Sequence, residues 1–285
     1  MEADRLVDWD APWLAALRHL EPLWRAANWR AALNDTAREH GIVSGRGIGI
    51  EFVAPDAAGN TPYEFFIATT GRIPMRDNQH DRFNALIWLT YPRAKALLNA
   101  RQAAEIERRG IGPARGAVRD AATLIDESAL LLVCDDAHVV AALREHAWRR
   151  LLIEWRHRWG HDIVVLPFGH ALLEKLSGPF KAVTACVVPL PASTDPDLAA
   201  AAFVARQDLA PSLLPHLPVL GVPGWCADNA DPRFYDDPNV FRRGKPHPQR
   251  RLNLSLMTAQ PNTSFRADSE ESRSEQYRDP SLRSG

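Results

Sequence analysis

Two spacings of apolar residues take turns along the 285-residue chain. In one, apolar side chains recur every three or four positions, as on a helix face. In the other they gather in short runs rich in Val, Ile, Phe and Tyr bounded by Gly, Pro, Asn or Asp, as in strands. Helical spacing opens the chain. Asp10 stands where it can cap a short helix carrying Trp13, Leu17 and Leu20, and Pro22 opens a second helix that Gly41 ends. The clearest helix is "PRAKALLNARQAAEIERRG" (92–110), with strong helix formers, Arg108 and Arg109 in its last turn and Gly110 as a stop. Asp136 can cap a further helical stretch, in which Val140, Leu143, Ala147, Leu151, Trp155 and Trp159 recur at helical spacing with Arg149, Arg150, Arg156 and His157 on other faces.

The short runs predict the strands. "IGIEFVAP" (48–55) and "YEFFIATT" (63–70) flank the turn residues "DAAGNT" and read as a hairpin, and "AATLID" and "ALLLVC" around "ES" read as another. "DIVVLPFG", "HALLEKLSG" and "AVTACVVPL" follow as strand, short helix and strand, a β-α-β unit that would be right-handed if its strands are parallel. Hairpins together with one β-α-β unit and several helices favour an α+β fold with a mixed sheet over a doubly wound parallel sheet. Residues 1–243 are expected to form one globular domain. The remainder, 244–285, is polar and nearly free of aromatic residues, the composition of a disordered tail.

Composition narrows the function classes. A hydrophobic content of 46% supports a sizeable core, and 34 basic against 35 acidic residues give no global pull toward nucleic acid or an anionic membrane. The arginines near Trp148–Trp159 read as a solvated face over a tryptophan core, so a nucleic-acid partner is disfavoured. The first twenty residues lack the apolar block of a secretory signal, and the most apolar stretches fall short of the ~20 residues that cross a bilayer. A cytoplasmic location without membrane attachment is expected. Cys134, Cys186 and Cys226 are far apart with no C-x-x-C pair, which suits buried thiols and offers no zinc signature.

Common enzyme motifs fail in turn. "GRGIG" (45–49) follows a helix and precedes a strand, the reverse of a dinucleotide fingerprint. The chain has no phosphate-binding G-x-x-x-x-G-K-[ST], no G-x-S-x-G and no H-E-x-x-H, and "DNADPRFYDD" lacks the Gly and closing Glu of a calcium loop. No cofactor is therefore assigned.

What remains is a set of polar clusters. In "GRIPMRDNQHDRFNALIW" (71–88), Asn78 fits a helix N-cap with Asp81 three residues later, which places His80 in the first turn and Asn84 on the same face. The helix dipole there favours a carboxylate and disfavours a protonated imidazole. In "FGHALLEKL", Gly169 permits a tight turn into a helix that carries His170 and, one turn on, Glu174, a spacing that suits a His–carboxylate dyad, two metal ligands or a single surface hydrogen bond. In "RGAVRDAATLIDES", Arg119 and Asp120 precede an apolar run, while Asp126 and Glu127 read more readily as hairpin-turn residues. The aromatic "LGVPGWCADNADPRFYDDPNVFR" (220–242) fits surface packing or the wall of a pocket.

These same strings, from "GRIPMRDNQHDRFNALIWLTYPRAKALLN" through "RGAVRDAATLIDES" and "FGHALLEKL" to "LPVLGVPGW" and "FYDDPNVFR", resemble in order the signatures of a bacterial family catalogued as domain of unknown function 3025. The resemblance spans roughly Trp13 to Arg243. It implies relatives without a mechanism, because the family carries no established activity.

The residues themselves point to a His/carboxylate site of hydrolytic type acting on a small-molecule ligand. Its expected catalytic groups are His80, Asp81, His170, Glu174 and Asp120, with Arg76, Asn84 and Arg119 toward an anionic part of the substrate, and a divalent metal is compatible. The alternative is a non-enzymatic binding or scaffold protein whose polar clusters are caps, turns and ion pairs. Distance decides between them: histidines more than about 12 Å apart could not share one small-ligand pocket.

Overall fold

A computed structural model describes residues 7–110 and 116–244. The expected polar tail lies outside the described residues from Lys245 on, as do residues 111–115 within the Gly-rich stretch "GIGPARG" (110–116). The fold is α+β, as the mixture of spacings predicts.

The N-terminal layer is helical but more broken than its periodicity suggests. Short 3-10 turns at Pro12–Leu14 and Arg18–Leu20 lead into α1 (Glu21–Arg25), and extended backbone at Ala26 separates it from α2 (Trp29–Glu39). Strand β1 (Glu51–Val53) follows, then α3 (Tyr63–Thr70), then β2 (Arg72–Pro74), and β1 pairs with β2 in parallel. The hairpin expected over 48–70 is thus a helix-connected parallel pair. "YEFFIATT" has strand composition, yet it forms a helix in which Phe66, Ile67 and Ala68 are buried in succession, so no amphipathic helical period shows in the sequence. Thr69 and Thr70 donate hydroxyl hydrogen bonds of 2.8 and 2.7 Å to the Phe65 and Phe66 carbonyls, and Gly71 ends the helix at φ 72°. A side chain at Gly71 would meet the Gly49 carbonyl oxygen at 2.2 Å, so glycine is required where β2 begins.

Helix α4 (Gln79–Thr90) runs through the interior and buries every residue from Asp81 to Trp88. Asn78 caps it as expected, its Oδ1 accepting the Asp81 amide at 2.8 Å. Helix α5 (Pro92–Arg109) starts on a proline, and its first free amides, of Arg93 and Ala94, donate to the Asp197 carboxylate at 3.0 and 2.8 Å. Lys95, Asn99 and Gln102 recur on α5 at helical spacing and are buried.

The second expected hairpin is also overturned. "AATLID" lies inside α6 (Ala117–Ser128), and only "ALLLV" is a strand, β3 (Ala129–Val133). Ala121, Ala122 and Ile125 are buried on one face of α6, a periodicity that a six-residue window is too short to reveal. Asp136 caps α7 (Ala137–Arg144) through the His138 amide at 2.9 Å, after which Arg149–Glu154 is π-helical and Arg156–Arg158 is 3-10. Then come β4 (Val164–Pro167), α8 (His170–Leu176), β5 (Thr184–Leu190), α9 (Pro196–Val204) and β6 (His216–Pro218). The larger sheet has the order β4-β3-β5-β6, with β3 and β5 parallel and the other pairs antiparallel. The expected unit β4-α8-β5 therefore has its helix and strands, but β3 lies between the strands; adjacent parallel strands joined by one helix are found at β1-α3-β2. No described helix is long and apolar enough to cross a membrane.

The aromatic segment packs as structure rather than over the histidines. Tyr235 and Phe241 are buried, with ring centroids 5.1 Å apart, and Trp225 meets Trp13 at 6.2 Å. Two of the nearby arginines are engaged, Arg156 to Asn229 and Arg158 to Asp136 and Asp162.

Candidate functional site

The pairing of β3 with β4 creates one half of the site. Their antiparallel register sets Leu130 opposite Pro167, so the end of α6 and the start of α8 arrive side by side. The Phe168 and Gly169 amides both donate to the Ala129 carbonyl, at 3.1 and 2.8 Å. A Cβ on Gly169 would lie 2.5 Å from the Ser128 and Ala129 nitrogens, so only glycine permits this approach. Glu127, at the end of α6, thereby comes within 3.5 Å of His170 Nε2.

Helix α4 supplies the other half by packing against α8. His80 Nε2 lies 3.1 Å from His170 Nε2, the two rings meeting edge to face at 80°. The remaining nitrogen of His80, Nδ1, lies 2.9 Å from Glu174 Oε2. Glu174 was expected to pair with His170 along their shared helix; the docking of α4 gives it to His80 instead. The ligand atoms of His80, Glu127 and His170 all lie within 4.8 Å of one another.

Protonation follows from these contacts. With Nδ1–H of His80 donating to Glu174, the Nε2 of a neutral ring offers its lone pair toward His170. His170 is 4% exposed, and burial, reinforced by Lys95 and His80 against the attraction of Asp126, lowers its pKa to about 4. A neutral His170 then either donates its Nε2–H to His80 or points a second lone pair at the first. The second arrangement is stable only with a cation between them. Nδ1 of His170 is buried without a hydrogen-bond partner of good geometry, although the Asp126 backbone carbonyl acts on the ring. Burial, then Asp126, pushes the Glu127 carboxyl up.

A cavity of ≈ 320 Å³ opens over these groups. His80, Glu127 and His170 share its wall with Tyr63 and Glu64 from α3, Arg76 after β2, Asp81 and Asn84 from α4, and Asp126 from α6. Most of its charges are committed. Arg76 grips Asp81 with Nε and Nη2, each at 3.0 Å, and its amide adds a 2.6 Å bond; burial raises the Asp81 pKa, but these bonds outweigh it and the net shift is downward. Lys95 forms a buried ion pair with Asp126 and donates to Asn84 Oδ1 at 2.8 Å, while Asn84 Nδ2 reaches the Tyr63 hydroxyl at 3.3 Å. Burial opposes ionisation of Asp126 as well, and Lys95 again reverses the sign. Glu64 differs: burial dominates and pushes its carboxyl up to about 7.

Of the residues expected at the site, His80, His170, Arg76, Asp81 and Asn84 line this cavity and Glu174 backs His80. Asp81 and Asn84 are held in an ion pair and an amide network. Asp120 stands apart, exposed in the first turn of α6, where its charge suits the helix dipole, and seven residues from Glu127, or roughly 10 Å along the axis. Arg119 is half-buried and acts on the cavity through its field at Glu64. Sequence reasoning set Glu127 and Asp126 aside as turn residues and did not single out Tyr63, Glu64 or Lys95. The available signal was polar residues interrupting apolar helices: Lys95 and Asn99 on α5, and Glu64 beside the apolar run of α3.

Comparison with protein families matches residues 50–245 to the family described as "Protein of unknown function (DUF3025)". The match begins at β1, so it takes in every cavity residue named above and leaves out α1 and α2. Comparison with curated proteins and with solved structures found no match.

Proposed function

Since the chain belongs to the DUF3025 family, whose description names no activity, the site must speak for itself, and we propose that the protein is a hydrolytic enzyme using one divalent metal ion held by His80, His170 and Glu127. The observation that carries this reading is the convergence of two imidazole Nε2 atoms at 3.1 Å with a carboxylate oxygen 3.5 Å from one of them. Two ligand atoms about 2.0–2.1 Å from a zinc ion stand roughly 3.3 Å apart at a tetrahedral angle, so the observed separations are those of neighbouring ligands. Glu174 supports the same reading: a carboxylate on the far nitrogen of a metal-bound histidine fixes the tautomer and raises ligand basicity. The low pKa of His170 keeps a lone pair available near neutral pH.

Three protein ligands leave a coordination position for water or substrate, which is how a catalytic zinc site differs from a structural one. The ion would polarise a carbonyl or phosphoryl oxygen and lower the pKa of a bound water. At the cavity wall Arg76 spends Nε and Nη2 on Asp81, and its remaining donors suit an anionic group on the substrate.

The test is metal analysis of natively purified protein together with His80→Ala, His170→Ala and Glu127→Ala variants whose folding is checked by circular dichroism. About one equivalent of metal in the parent, lost from all three folded variants, is expected. A parent that binds no Zn(II), Mn(II) or Fe(II) in equilibrium dialysis overturns the reading. The identity of the ion matters too, because two histidines and one carboxylate also serve non-haem iron oxygenases. Zinc or manganese with hydrolysis of p-nitrophenyl esters supports hydrolysis; iron with oxygen consumption replaces it by redox chemistry.

A further inference from the structure

Building on that metal-assisted reading, we propose that Glu64 takes the proton from the attacking water and returns it to the leaving group. Glu64 is the second residue of α3 and lines the cavity shared by His80, His170 and Glu127. A sphere of the cavity's volume is roughly 8 Å across, so a carboxyl on one wall reaches a water at the other directly or through one further water.

Its placement is fixed on one side and open on the other. Asn99 Nδ2 donates to Glu64 Oε2 and to the Glu64 backbone carbonyl, each at 2.8 Å, and Asn99 is itself held by the Gly45 amide at 3.0 Å. These bonds engage Oε2 and the backbone, while the Glu64 residue also lines the cavity. The other acids near the cavity are committed: Asp81 to Arg76, Asp126 to Lys95 and Glu174 to His80, with Glu127 assigned to the ion. Glu64 makes no ion pair among the described residues.

The charges facing Glu64 are Lys95 from α5, Arg119 and Asp126 from α6, and Tyr63 beside it, with the Arg76–Asp81 pair and His80 on other parts of the wall. Burial outweighs them, Asp126 adds to it, and Lys95, Asn99 and Arg119 pull the other way, leaving the carboxyl near 7, where it exchanges protons most readily at neutral pH. Tyr63 is unsuited to the task, because burial and then Glu64 drive its hydroxyl well above the usual phenol range.

The step balances. The Glu64 carboxylate accepts one proton as the water oxygen bonds to the carbonyl carbon or phosphorus. The bond to the leaving group breaks, and neutral Glu64 gives that proton to the departing oxygen or nitrogen. One water is consumed and the carboxylate is restored.

Cobalt(II) tests this without a known substrate, since its visible spectrum reports the protonation state around the ion. The full chain and Glu64→Gln are loaded and titrated with base. Gln keeps an acceptor for Asn99, so a purely structural Glu64 would leave the titration unchanged. One equivalent of cobalt in both proteins is expected, with the spectral midpoint displaced in Glu64→Gln by about one pH unit or more. Superimposable titrations overturn the proposal, and so does loss of cobalt from Glu64→Gln alone, which would make Glu64 a ligand. A parent that binds no cobalt removes the metal reading and this inference with it.

Discussion

Oε2 of Glu174 lies 2.9 Å from Nδ1 of His80, a residue 94 positions away, and this contact decides which nitrogen of His80 faces His170. Glu174→Gln keeps an acceptor but removes the charge that holds the Nδ1–H tautomer. Metal affinity, measured by competition with a chelating dye, should weaken by about 10–100-fold while the circular dichroism spectrum is unchanged. An unaltered affinity would mean that Glu174 is only a surface partner.

Lys95 and Asp126 illustrate the cost of a half-removed pair. Their side chains are 4% and 10% exposed, so Lys95→Met leaves a carboxylate in the interior without its counter-ion. Urea unfolding should show a loss of about 3–5 kcal/mol. The double variant Lys95→Met, Asp126→Leu should recover much of it, because the remaining charge is gone. If the double variant is no better than the single, the pair is not what sets the cost.

Stability of the metal-free protein should depend on pH through two groups of opposite sign. His170 has a folded pKa of about 4 against an ordinary 6.5, so the unfolded chain binds more protons between those values and stability falls as pH drops through that window. Glu64 is raised from 4.5 to about 7, so the folded chain binds more protons between those values and stability falls as pH rises through them. The slopes oppose each other in the parent. With EDTA present, Glu64→Gln should gain stability from pH 4.5 to 7 relative to the parent trend, and His170→Phe should show the reverse. Parallel urea midpoints for all three proteins would contradict both assignments.

Gly169→Ala tests the backbone contact that joins α6 to α8. The added methyl meets backbone atoms at 2.5 Å, which only a displacement of the chain relieves. An unfolding cost of about 1–3 kcal/mol is expected. Metal binding should weaken as well, since His170 follows directly and Glu127 precedes the contact. Native metal affinity in this variant would show that the approach serves packing alone.

How much of this was legible depends on how much of each element faces water. The Asn78 cap, the long helix ending at Gly110 and the His170 helix announce themselves through capping residues and terminators. The helix at Tyr63–Thr70 does not, because the consecutive buried residues Phe66, Ile67 and Ala68 erase the period that separates helix from strand. Glu64 vanished into a supposed strand for that reason. Glu127 was hidden differently: two acids between apolar runs resemble a turn, and only the β3–β4 register reveals that the second of them ends a helix beside His170. Asp120 drew attention by composition, but a helix places it two turns away. The two histidines were expected in one site, but the α4–α8 packing that brings them together was not legible, since no local pattern encodes contact over 90 residues.

That separation gives the His80–His170 contact a second meaning. In the unfolded chain the two rings are ends of a 90-residue loop, and nothing holds them at a common point. An ion that needs both therefore has affinity only for the folded molecule. At a free concentration one hundred times its dissociation constant it would add about 2.7 kcal/mol to folding, with no new contact in the core. The melting temperature should then climb with the logarithm of metal concentration, so that a thermometer, without any substrate, reads occupancy of the site.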